Sequence, residues 1–106
     1  MNLQRLDKST VEEIVKRLVK TYDPLEIYLL EPQYDNNIDN NILVIVEGDD
    51  IAHYALMTKG HKALVGVDIA KNILVYTKEE FAEYAQDAST LSYLIKRDGS
   101  RIYAKA

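Results

Sequence analysis

Residues 27–47 read IYLLEPQYDNNIDNNILVIVE, and the five at 42–46, ILVIV, decide the fold. They are apolar without alternation. A strand with one wet face shows a two-residue period, so an unbroken β-branched run belongs where helices cover both faces of a sheet. The pattern predicts a strand over 42–47, the most buried of its sheet. Upstream, LEIYLL at 25–30 is a second short run of the same character. Between them EPQYDNNIDNN, at 31–41, is rich in Pro, Asn and Asp and reads as a loop. Downstream, Gly48-Asp49-Asp50 breaks the run and offers an N-cap.

Working outward, Val11, Ile14, Val15, Leu18 and Tyr22 recur at helical spacing. Ser9 with Glu12 fits a capping box, and Asp23-Pro24 ends the pattern, which predicts a helix over about 10–21. The segment 50–66 allows a helix in one or two pieces, weakened at Gly60. NILVY at 72–76 predicts a third strand. Thr77 and Glu80 form a further capping box before a helix at about 78–86. Ser89 is positioned to cap another at 90–98, stopped at Gly99. Arg101-Ile102-Tyr103 reads as a terminal extension fit for an edge strand. The order α, β, β, α, β, α, α describes one α/β (α+β) domain, with a small mixed sheet flanked by helices.

Composition narrows the chemistry. The 106 residues fit one domain, and the absence of cysteine excludes a disulfide scaffold, a thiolate metal site and a cysteine nucleophile. The formal net charge of -4 argues against a nucleic-acid partner, because that affinity comes from cations neutralising phosphates. The one local basic bias is Lys96, Arg97, Arg101 and Lys105. No apolar run approaches the length of a membrane span, and the first residues lack the apolar core of a signal peptide; a cytoplasmic location is expected.

The segment at 27–47 and the tail ILVYTKEEFAEYAQDASTLSYLIKRDGSRIY at 73–103 together resemble the minimal nucleotidyltransferases of the DNA polymerase β superfamily. The likeness runs over residues 8–103 and implies a nucleotidyltransferase-like fold. In that family a first strand runs into a Gly-Ser turn, an Asp-x-Asp pair opens the next strand, and a third Asp opens a later one. Here Glu31-Pro32 stands for Gly-Ser, Asp39-Asn40-Asn41 for Asp-x-Asp, and Asn72 for the third Asp. The resemblance therefore implies a degenerate member with a vestigial site of Asp39, Asn41, Asn72, Glu31 and Pro32.

Nucleotidyl transfer needs Mg²⁺ on the triphosphate, and hard cations want carboxylate oxygens. Two amides in place of two carboxylates remove two negative charges. Pro32 has no N–H to offer a phosphate, and Glu31 would repel one. Asp39 and Asn41 are two apart, so an extended backbone points them to one side. With Asn72 opening the adjacent strand, the three are expected to meet at one end of the sheet, holding no metal and no cofactor. As ordinary residues, the loop asparagines are turn formers and the loop acids are solvated. His53 and His61 show no partnering carboxylate pattern and read as helix-surface or half-buried.

The expected function is a catalytically inactive protein-binding module. The resemblance implies an antitoxin-like role beside a HEPN-type helical protein; a homodimer is the other partner reading. Tyr84 and Tyr93 are candidate interface aromatics. The alternative is a working Mg- and ATP-dependent transferase acting on a protein or small molecule, with Asp39 joined by Asp35 or Asp68 at the metal.

Overall fold

The computed structural model describes residues 6–32 and 39–106. Elements follow in the order α1 (Lys8–Tyr22), β1 (Glu26–Leu30), β2 (Asn40–Val46), α2 (His53–Ala63), β3 (Lys71–Thr77), α3 (Lys78–Tyr84), α4 (Leu91–Asp98) and β4 (Ser100–Ala104). The four strands form one mixed sheet, ordered β3-β2-β1-β4. β1 runs antiparallel to both β2 and β4, whereas β2 and β3 are parallel. The terminal extension is thus a full edge strand.

All seven residues of β2 are buried, which the unbroken run predicts for 42–46. Alternate side chains feed two cores. Ile42 and Val44 join Ile14 and Leu18 of α1, with Ile73 and Val75 of β3, on one face. Leu43 and Ile45 join Phe81 and Ala85 beside α3, with Ile95 of α4, on the other. The chain is therefore an α+β domain of three layers, with α1 and α2 on one side of the sheet and α3 and α4 on the other. No helix among the described residues is long and apolar enough to cross a membrane.

Several local expectations change. β2 begins at Asn40, so Asn40 and Asn41 are strand residues rather than loop. Their parallel register with Lys71 and Asn72 extends the ladder, and both Asn40 N–H groups, backbone and side chain, are donated to Ala70 O at 2.9 and 3.2 Å. Long-range pairing outweighs the turn preference of asparagine.

α1 starts earlier than expected, because Asp7 and not Ser9 is its cap: the Asp7 carboxylate accepts the Thr10 N–H at 2.8 Å, and Ser9 Oγ donates to the same carboxylate. Hydrogen bonding from the Thr10 side chain first, then from the Thr10 N–H and from Ser9, holds the Asp7 carboxyl below the usual range. α2 is one continuous helix through Gly60. It is capped by Ala52 with no side-chain bond, so the Gly48-Asp49-Asp50 turn does not cap it. Thr90, not Ser89, caps α4, while Ser89 bonds Asp87. The Thr77–Glu80 box is present in full.

Gly60 explains why the weak helix former is there. It is buried where α2 meets α1 and β3, and a Cβ on it would stand 2.5 Å from Tyr22 Oη and 3.0 Å from Ile73 Cγ2. The Tyr22 hydroxyl donates to Leu56 O across this contact. Burial pushes the Tyr22 hydroxyl up to about 12.

Candidate functional site

β1 ends where β2 and β3 begin, and Leu30, Asn41 and Asn72 lie side by side across that end of the sheet. Asn72 Nδ2 donates to Asp39 Oδ2 and to Asn41 Oδ1, each at 3.3 Å. One amide thus bridges two acceptor oxygens from a neighbouring strand. Asn41 is 6% exposed and Asp39 half-buried, with Asn72 on the solvent side. Asn41 and Asn72 share the strand face of Leu43 and Leu74, which pack with the α3–α4 core.

Of the remaining candidates, Glu31 and Pro32 directly follow Leu30 at this end of the sheet. A Glu31 carboxylate oxygen accepts the Leu6 N–H at 2.9 Å, which ties it to the chain entering α1. Pro32 is buried. Asp68 is exposed and lines a groove with Ser9, Thr10, Glu13 and Arg17, on the α1 side of the sheet. Asp35 lies outside the described residues. No group of three or more His, Asp or Glu among the described residues is placed to hold a metal ion.

The donor set does not fit Mg²⁺. A hard divalent cation needs converging oxygens, several of them anionic. Of the three residues in the bridge, Asp39 supplies the one carboxylate. The space between its Oδ2 and Asn41 Oδ1 is spanned by an NH₂ group, which donates and cannot ligate. The amide satisfies the same two lone pairs that a cation would otherwise attract.

A second polar contact was missed in the sequence. His53 Nε2 lies 2.8 Å from Glu80 Oε2, while Glu80 Oε1 accepts the Thr77 backbone N–H at 2.8 Å. The His53 ring also meets the edge of Tyr76, which in turn meets Tyr84. His53 is half-buried, as expected, and has in Glu80 a carboxylate partner that no sequence pattern showed. Burial raises the Glu80 carboxyl, but the Thr77 N–H and the His53 ring outweigh it and leave it below the usual carboxylate range. The available signal was topological: parallel β2 and β3 deliver the starts of α2 and α3 to the same end of the sheet.

The basic bias near the C-terminus is largely neutralised. Arg97 pairs with Asp98, Arg101 with Glu26, and Lys105 with Asp23. Tyr84 is 38% exposed and Tyr93 half-buried, so neither is sealed in the core.

No family model matches this sequence, and no curated protein matches it. Among solved structures it is similar to a chain of the complex between a tri-AMPylated Shewanella oneidensis HEPN toxin and an MNT antitoxin. That match covers 94% of this chain and 74% of the other, with a TM-score of 0.53 and 17% sequence identity. At that identity the likeness concerns the fold, which is consistent with a nucleotidyltransferase-like arrangement of the four-stranded sheet and its flanking helices.

Proposed function

We propose that this chain is a catalytically inactive protein of nucleotidyltransferase-like fold that acts by binding another protein, as an antitoxin-like partner of a HEPN-type helical protein. The observation that carries the proposal is the Asn72 amide bridging Asp39 and Asn41, at the end of the sheet where the resemblance puts metal-binding carboxylates. Three carboxylates there would repel one another without a cation, at roughly 4 kcal/mol for a pair ~4 Å apart and an effective dielectric near 20. Two amides remove that repulsion and let the site close on itself. A well-packed domain that has given up its charge but kept its fold is suited to binding rather than transfer. The solved neighbour, an MNT antitoxin held with a HEPN toxin, supports the choice of partner class. Half-exposed Tyr84 and Tyr93 on α3 and α4 supply aromatic surface for such a contact.

The AMP groups on the neighbour's toxin favour a second reading, a Mg-dependent transfer of a nucleotide from ATP to a protein. Against it stand the amide bridge and the placement of Asp68 in the groove beside α1. The test is to co-express the chain with a HEPN-type protein encoded beside it. The proposal expects a complex that survives gel filtration in EDTA, with no adenylate on the partner by mass spectrometry. Separate elution overturns the partner; a mass gain of AMP on the HEPN-type protein overturns the inactivity.

A further inference from the structure

The chain leaves β2 and β3 towards opposite faces of the sheet. The two strands are parallel neighbours and end side by side, at Val46 and Thr77. From β2 the chain turns at Gly48 and enters α2, which packs with α1 on one face. From β3 it enters α3 directly, on the other face. Parallel strands whose continuations part in this way leave a crevice outside their carboxyl ends, where ligands of open α/β sheets bind. Such a crevice is present. It holds about 260 Å³ between Val46, Glu47, Gly48 and Asp49 after β2 and Lys78 and Glu79 after β3. Through Leu25, Glu47 and Lys78 it continues into a groove of about 540 Å³ that reaches Arg101 on β4 and Lys105 beyond it. This is the opposite end of the sheet from the Asn72 bridge.

The charges along this path are sorted. The crevice carries Glu47, Asp49 and Glu79 with one cation, Lys78, and none of the four makes an ion pair among the described residues. The far end carries Arg101 and Lys105. Each gives one nitrogen to a carboxylate, Glu26 and Asp23 respectively, and keeps further N–H groups for a second acceptor. Between the ends lies apolar Leu25, shared by both parts. Gly48, at φ +127°, adopts a conformation that side chains disfavour and lines the crevice with bare backbone. We propose that the groove binds a short extended peptide, with its free ammonium among Glu47, Asp49 and Glu79 and its free carboxylate at Arg101 and Lys105. The length follows from the sheet. The two ends are separated by the spacing from β2 across β1 to β4, about 10 Å, which about three extended residues span. Lys78 belongs to both parts of the groove and supplies a donor for a peptide carbonyl between the ends. A simple amine leaves the basic end unmatched, and a simple anion leaves the acidic one.

The probe is trialanine, titrated into the ¹⁵N-labelled chain at neutral pH and followed by amide chemical shifts. Saturable shifts are expected at Gly48 and Lys78 in the crevice and at Ala104 on β4, with Asn72 unmoved. Acetylating the peptide's N-terminus or amidating its C-terminus should each weaken binding several-fold. Glu47→Lys with Asp49→Lys changes two exposed side chains, and should abolish the response at an unchanged melting temperature. Arg101→Gln should weaken trialanine but not its C-terminal amide, which separates contact with the carboxylate from a general effect on the fold. No saturable shift up to the peptide's solubility limit overturns the proposal. So do shifts centred away from these residues, equal binding of the doubly blocked peptide, or equal binding of n-propylamine, which would make the crevice a site for organic cations alone.

Discussion

Gly60→Ala is the substitution in which two well-measured effects point in opposite directions. In an exposed helix, replacing Gly by Ala gains about 1 kcal/mol. At Gly60 the new methyl would sit 2.5 Å from Tyr22 Oη, 3.0 Å from Ile73 Cγ2 and 3.2 Å from Ile73 Cδ1. The ring would have to move, and its hydroxyl would lose Leu56 O. Overpacking a filled site costs roughly 1–3 kcal/mol, and the lost hydrogen bond adds about 1 kcal/mol. The expected balance is a net destabilisation of about 1–3 kcal/mol, which lowers the melting temperature by on the order of 10 °C in a domain of this size. The assay is urea and thermal denaturation followed by circular dichroism. Tyr22→Phe removes the obstructing oxygen, so in the double variant part of the loss should return, a coupling of about 1 kcal/mol in a double-mutant cycle. A Gly60→Ala protein more stable than the parent would mean that propensity alone acts there, and that α2 does not pack on Tyr22 and β3 as described.

Two other perturbations address the polar sites. Asn41→Asp with Asn72→Asp replaces the amide bridge by a tri-carboxylate with Asp39; a melting temperature that rises with added Mg²⁺ or Mn²⁺ is expected, with no transfer activity, and a metal-indifferent double variant would count against convergence of these three residues. Glu80→Gln tests the pair with His53. Because the folded Glu80 carboxyl lies below its unfolded value, the carboxylate contributes stability above about pH 4.3 that is lost as pH falls through the folded value. The variant should therefore unfold with a flatter acid limb than the parent, and an unchanged acid limb refutes the contact.

Where the physics was local, the sequence could be read. ILVIV announces a strand covered on both faces, and Thr77 with Glu80 announces a helix start, because both signals lie within a few residues of the structure they specify. The two-residue period also places Asp39 and Asn41 on one side of the chain where it enters β2. Distant partners were not legible. Asn40 and Asn41 look like turn residues until Lys71 and Asn72, 31 positions on, draw them into a ladder. His53 looks unpartnered until Glu80, 27 positions away, arrives at the end of the neighbouring strand. Asp7 shows a nearer miss: the spacing of Ser9 to Glu12 reads as the cap, and the carboxylate two residues before it takes that role.

The central claim is that the site formed by Asp39, Asn41 and Asn72 has lost the charge that would hold metal-bound nucleotide. Titrating ATP into the purified chain by calorimetry, at millimolar Mg²⁺ and again in EDTA, tests it most directly. The account predicts no binding heat in either buffer up to millimolar ATP. A dissociation constant in the micromolar range that appears with Mg²⁺ and vanishes in EDTA would contradict it and establish the transferase reading in its place.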